Sequence, residues 1–241
     1  MEKLTADDID KPGESKYNYI GECMRKYDFV LFDLDGTLSA SAEGVRMSIE
    51  HALKALSLPC PDLSDYTLYV GPPLQDTFRE LCNVPERLVQ SAMVMYRDFY
   101  DDVGIRNNAL YDGIIEVLDK LRADGCRIAI CTSKNEPVAE RVAESLGLIG
   151  HIDAICGSTL DGFRRAKKDI IPYALSTLGC ADKSRAVMVG DTHFDATGAV
   201  ETGLDFIGVT YGYGTRESME AVGGKVFVDT ALEIYDCIIT A

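Results

Sequence analysis

Two carboxylates spaced two residues apart, Asp33 and Asp35, close the apolar run Phe29-Val30-Leu31-Phe32 and lead into Gly36-Thr37-Leu38. Side chains alternate along a strand, so both acids share a face only while the chain stays extended. Burying two acids beside an apolar strand is costly unless a cation or a proton stands between them. The placement that avoids this cost is the open carboxyl end of a parallel sheet, where a divalent metal can meet both. Asp, Gly and Thr also favour turns, so the same residues alone are compatible with a plain strand-to-turn transition.

Two further apolar runs end in polar residues suited to the same chemistry. Arg127-Ile128-Ala129-Ile130-Cys131 is followed by Thr132-Ser133-Lys134, and Ala186-Val187-Met188-Val189 by Gly190-Asp191-Thr192-His193-Phe194-Asp195. Ligands of open α/β sheets bind beyond the carboxyl ends of the strands, so the three sets are expected to converge in one crevice.

The elements that must position them follow from periodicity. Val45, Ile49, Leu53 and Leu56 form a helical stripe, as do Leu74, Phe78 and Leu81, and then Val89, Met93, Tyr96 and Tyr100. The stretch from about Ala42 to Ala109 therefore reads as an all-helical insertion. From Tyr111 onward strands alternate with helices. Ile152–Cys156, Phe206–Val209 and Val226–Val228 join the runs already named as strands, and the helices between them end near Gly125, Gly147 and Gly179. Such alternation predicts right-handed crossovers and an α/β, doubly wound, mostly parallel Rossmann-like sheet with an inserted α-helical cap domain. The expected division is a polar N-terminal extension over 1–24, a catalytic core over 25–41 and 110–241, and a cap over 42–109.

Composition narrows the class. The chain has 241 residues with a net charge of −15, which argues against nucleic acid or an anionic membrane as partner. A small anionic substrate stays compatible, because a metal and one lysine invert the local field. None of the eight cysteines forms a Cys-x-x-Cys pair, and reduced thiols in a cytoplasmic protein are expected. His51, His151 and His193 lie too far apart in sequence to suggest a His-rich zinc site. No run is long and apolar enough to span a membrane, and the polar first two dozen residues lack the apolar core of a signal peptide. Met24 is a second candidate initiator.

With these residues in place, the chain resembles the haloacid dehalogenase-like hydrolases, in the branch with a helical cap, and is most similar to phosphoglycolate phosphatase-like enzymes. The resemblance runs from Tyr27 to Ile239 and rests on Asp33-Leu34-Asp35-Gly36-Thr37-Leu38, Thr132 and Gly190-Asp191-x-x-x-Asp195. It implies Mg²⁺ as cofactor, held by Asp33, Asp35 through its backbone carbonyl, and Asp191, with Asp195 orienting that shell directly or through a water. It implies Asp33 as nucleophile giving an aspartyl-phosphate, and Asp35 as general acid and then base. Thr132 would donate to phosphoryl oxygens, with Ser133 and Lys134 beside it as substrate contacts. A lysine would add charge where the transition state carries it. Lys167 and Lys168 both open the helix of Ile170 and Ala174. Lys167 is favoured, since it stands two residues before Asp169 in the family's context, which here lacks the common Lys-Pro pattern.

The resemblance also implies that the insertion closes over the crevice and reads the leaving group. Gly71-Pro72-Pro73-Leu74 resembles a cap loop facing the active site, and Arg46 and Arg79 are candidates for a substrate carboxylate or second phosphate. Ala40 stands where relatives often carry aspartate, which puts the hydrogen bonding of the hinge in question. Gly212-Tyr213-Gly214 reads as a tight loop near the site. The expected activity is magnesium-dependent hydrolysis of a small, phosphoglycolate-like phosphate monoester. A phosphomutase or pyrophosphatase on the same machinery is the alternative within enzymes, and a non-catalytic phosphate-binding or scaffold protein the alternative of another class. Dehalogenation is disfavoured, since it needs no magnesium while Asp35 and Asp191 are retained. Oligomeric state is not legible.

Overall fold

The structure, a computed structural model, describes residues 26–239. The expected N-terminal extension and the candidate start at Met24 lie outside the described residues.

Six strands form one parallel sheet: β1 (Phe29–Phe32), β4 (Arg127–Asn135), β5 (Ala154–Ser158), β6 (Ala186–Gly190), β7 (Asp205–Val209) and β8 (Val226–Val228). Their order across the sheet is β5-β4-β1-β6-β7-β8. The chain therefore builds outward from β1 on one side through β4 and β5, then crosses to the other side for β6, β7 and β8. β1 sits at the point where the order reverses, the place where an open α/β sheet leaves a crevice. Helices α4 (Ile114–Ala123), α5 (Glu136–Ser145), α6 (Lys167–Leu178), α7 (His193–Thr202), α8 (Arg216–Ala221) and α9 (Ala231–Ile239) cover the two faces. Consequently β1 is buried on both sides: Val30 packs in one apolar cluster with Ile128 and Val187, and Leu31 in the other with Ala129 and Met188. Each of the Val, Leu, Ile and Met side chains among them, fully buried, stabilises the fold by about 1.5–3 kcal/mol, which explains the continuous apolar run of a parallel strand.

Register then aligns the strand ends. Phe32 lies opposite Ile130 of β4 and Val189 of β6. Asp33, Thr132 and Asp191 follow within two residues of these positions, on three adjacent strands.

The chain leaves the sheet layer through β2 (Ser39–Ala40) and returns through β3 (Ala109–Leu110), which pair antiparallel. Between them lie α1 (Ala42–Ala55), a short helix α2 (Leu74–Asp76) that widens to a π-turn over Thr77–Leu81, and α3 (Glu86–Asp102). Their buried faces hold the predicted stripe residues Val45, Ile49, Leu53, Phe78, Val89 and Tyr100. The inserted segment is thus helical, as its periodicity predicts. No helix among the described residues is long and apolar enough to cross a membrane, and the described cysteines are free thiols.

Candidate active site

Three buried carboxylates meet beyond β1 and β6. Asp33, Asp191 and Asp195 each offer an oxygen, all within 4.8 Å of one another. Local structure puts each there. Asp33 continues β1, its N–H donating to Val189 O at 2.9 Å. Asp191 follows the last residue of β6 and accepts from Thr37 Oγ1 at 3.0 Å and from the backbone N–H of Tyr213 at 2.8 Å. Asp195 stands in the first turn of α7, where its Oδ2 accepts from Thr192 N at 3.0 Å and Thr192 Oγ1 at 2.7 Å. That capping leaves Asp195 Oδ1 for the cluster. Gly36 (φ +90°) makes the turn possible, since a Cβ there would fall 2.1 Å from Asp191 Oδ2.

Among the described residues, one ammonium pairs with two of the three acids. Lys167 Nζ lies 2.7 Å from Asp33 Oδ1 and 2.6 Å from Asp195 Oδ1, and donates to Cys131 O at 2.6 Å. Lys167 is buried and Lys168 exposed, which separates the two candidates by geometry. Gly198 of α7 makes the room, because a Cβ there would sit 2.3 Å from Lys167 Cβ. A lysine opening a helix opposes the macrodipole, so helix stability alone does not account for its position.

The electrostatics are unbalanced. Burial, with the neighbouring charge of Asp195 and Asp35, pushes Asp33 up to about 6, against the pull of Lys167. Asp191 is raised well above the ordinary carboxylate range by burial and by the charges of Asp195 and Asp33. Burial alone would lower Lys167, but Asp195 and Asp33 hold it above its usual value. Three carboxylates against one cation leave negative charge uncompensated, and oxygen ligands at this spacing suit a hard divalent cation. The residues present therefore fit a metal ion.

Asp35 takes a different partner: its Oδ2 accepts from Lys134 Nζ at 2.6 Å, while its Oδ1 is buried without a hydrogen-bond partner. Lys134 also lies 5.0 Å from the ring centre of Tyr100, on α3. Thr132 is buried, and its Oγ1 accepts from Lys134 N at 3.2 Å. Asp33, Asp35, Thr132, Ser133, Lys134, Lys167 and Asp195 all line one cavity of about 1010 Å³, together with Gly71 and Pro72 from the helical insertion.

Arg79 is not brought there. It lies outside the cavity lining, with Nε 2.8 Å from Glu86 Oε2. Arg46 is likewise engaged by Glu43 and Glu50. Both arginines stand on helical segments rich in acids, and intrahelical or local pairing satisfies them. His193 is an exposed lining residue, as a rim position requires. Asp169 accepts from Ala166 N at 3.3 Å, so it caps its own helix rather than tethering Lys167. The spacing of residues missed three members of the site. Thr37 donates through its hydroxyl to Asp191 Oδ1, and Tyr96 and Tyr100 form part of the cavity wall. For the tyrosines the available signal was their place on the α3 stripe at Val89 and Met93.

The matches to known proteins agree with this geometry. Residues 30–209 match the haloacid dehalogenase-like hydrolase family. Tyrosine-protein kinase PtkA of Mycobacterium tuberculosis is 39% identical over 84% of this chain and 68% of its own length. A 5'-nucleotidase of Pseudomonas aeruginosa is 35% identical over 81% of this chain and 88% of its own. Phosphoglycolate phosphatases align at lower identity. The crystal structure of a predicted phosphatase from Clostridium acetobutylicum superposes with a TM-score of 0.80 at 37% identity, covering 88% of this chain and 97% of that one. With the acidic cluster at the family's strand ends and the match spanning most of the sheet, this chain belongs to the haloacid dehalogenase-like hydrolases, and it is a hydrolase acting on phosphate monoesters.

Proposed function

We propose that the chain hydrolyses a small phosphorylated metabolite through an aspartyl-phosphate on Asp33, with Mg²⁺ as cofactor. The observation that carries this reading is the pairing of Asp33 with Lys167 inside a buried acidic cluster that faces a cavity. Asp33, Asp191 and the backbone carbonyl of Asp35 would hold the ion, with Asp195 beside them. When bound, the ion offsets repulsion between carboxylate and phosphate and neutralises charge on the phosphoryl oxygens.

The chain's own groups supply the remaining steps. Asp33 Oδ attacks phosphorus in line, and the bond to the leaving oxygen breaks as the new P–O bond forms. Asp35 gives that oxygen its proton, then takes one from the water that cleaves the acyl-phosphate. Lys167 and the Thr132 hydroxyl stabilise charge on the transferring group. Ser133 and Lys134 shape the same wall. Residues 42–109 act as the cap over the core of 25–41 and 110–241, with Gly71 and Pro72 presented to the substrate. At about 1010 Å³ the cavity is at the upper end of small-ligand pockets. It leaves room for leaving groups larger than a two-carbon acid.

The test is phosphate release from a panel running from phosphoglycolate to sugar phosphates and nucleoside monophosphates, with Mg²⁺ and with chelator. The expected result is metal-dependent release in wild type and its loss in Asp33→Asn. Release that survives Asp33→Asn rules out the nucleophile.

A further inference from the structure

The first helix of the insertion lacks a cap of its own. The opening N–H groups of a helix have no intrahelical acceptor and are normally met by a Ser, Thr, Asp or Asn just before it. Ser41 precedes α1 with a near-helical backbone (φ −106°, ψ −5°) and its side chain caps nothing. Its Oγ is buried without a partner. Residue 40 is alanine, which offers no acceptor either.

The missing acceptor comes from the other side of the hinge. Tyr213, in the loop after β7, accepts at its phenolic oxygen from Ser41 N at 2.7 Å and from Ala42 N at 2.9 Å. The backbone N–H of the same residue donates to Asp191 Oδ2 at 2.8 Å. Its ring meets that of Tyr66, in the helical insertion, edge-on at 6.2 Å. The glycines beside it leave the loop no slack, since a Cβ on Gly212 would lie 2.3 Å from Asp191 Cβ and one on Gly214 2.1 Å from Asp191 O. One neighbour reinforces the arrangement: Tyr211 Oη donates to Thr37 O at 2.9 Å, and Thr37 holds the other oxygen of Asp191.

We infer that Tyr213 is a positioning residue that docks the cap's first helix onto the acidic cluster, coupling cap closure to the orientation of Asp191 through one residue, its phenol on the helix and its backbone N–H on the carboxylate. The inference rests on the phosphatase reading only for the benefit of closure, which excludes water and completes the site. The capping itself is independent of the reaction. Removing the phenolic oxygen strips two N–H groups of their acceptor, which shifts the local opening equilibrium roughly tenfold.

The test uses Tyr213→Phe, which keeps the ring against Tyr66 and the N–H on Asp191, and the double variant with Ala40→Asp. An aspartate at 40 accepts from the N–H two residues on, that of Ala42. Amide exchange at Ser41 and Ala42 is expected to quicken roughly tenfold in Tyr213→Phe, with the β1 and β6 amides unchanged. KM for a small monoester is expected to rise several-fold, and Ala40→Asp to reverse both effects in large part. Unchanged exchange at Ser41 and Ala42 overturns the inference. So does failure of the aspartate to slow it. So does a fall in kcat alone with KM unmoved, the signature of a merely structural loss. Exchange is read without turnover. A hinge effect in a protein that releases no phosphate therefore rejects the phosphatase reading and keeps this one.

Discussion

Lys134 Nζ sits 2.6 Å from Asp35 Oδ2, and the same ammonium lies over the ring of Tyr100 at 5.0 Å. One cation thus joins the proposed acid–base residue to the α3 wall of the cavity. Burial alone would lower the pKa of this ammonium, but Asp35, Tyr100 and Tyr96 hold it above its ordinary value.

Loss of that cation leaves Asp35 without its only ion-pair partner among the described residues. Lys134→Ala is expected to lower kcat by about 10²-fold, the scale of one positioned proton-transfer group. Lys134→Arg is expected to recover part of it. Steady-state kinetics beside circular dichroism checks this, and near-wild-type kcat in Lys134→Ala refutes a role through Asp35.

The neighbouring lysines 167 and 168 make an internal control. Lys167→Ala removes the one ammonium that faces Asp33 and Asp195 among the described residues. Breaking a buried pair in this way costs about 3–5 kcal/mol of stability, and activity is expected to fall by about 10²–10³-fold. The exposed Lys168 lines the cavity but pairs with neither acid; changed to alanine, it is expected to leave the melting temperature near that of wild type and to lower activity far less than Lys167→Ala. Thermal melts and phosphate release together decide the pair, and equal losses in both variants contradict the assignment.

Stability of the metal-free protein is expected to depend on pH with a definite sign. Asp33 is raised by burial to about 6 in the folded state, against 3.8 ordinarily. The folded state therefore holds more protons than the unfolded state between these values. The contribution is fully present below about pH 4 and lost as pH rises through about 6, on the order of 3 kcal/mol for this group. Asp191 is shifted in the same direction. In chelator, the melting temperature is expected to fall between pH 5 and 7, and saturating Mg²⁺ to abolish the fall. A chelated protein whose melting temperature is flat over this interval contradicts the uncompensated cluster.

Among the arginines of the helical insertion, Arg97 lines the cavity and has no carboxylate partner among the described residues, whereas Arg79 is held by Glu86 outside it. Arg97→Ala is expected to raise KM several-fold for esters that carry a second anionic group, and to spare those that do not. Arg79→Ala is expected to change neither. Paired esters differing in one carboxylate provide the measurement.

Much of the site was legible because its chemistry is tied to strand ends. Three apolar runs stopping at Asp33, Thr132 and Asp191 are patterns of period and composition, and a parallel sheet brings such ends together whatever lies between them. Lys167 was harder to place, since two adjacent lysines have the same local sequence context and differ only in which way the first turn of α6 faces. Arg79 was misplaced because a charged residue on a helix carries no record of which acid will satisfy it.

By itself, then, the chain's order of residues determined the layer architecture, the helical insertion and the acids at the strand ends, because burial period and turn chemistry are local properties. The tertiary structure alone decided which lysine meets Asp33, that Lys134 serves Asp35, and that Tyr213 caps a helix about 170 residues away in sequence. Those pairings depend on distances across the fold, which no spacing along the chain encodes.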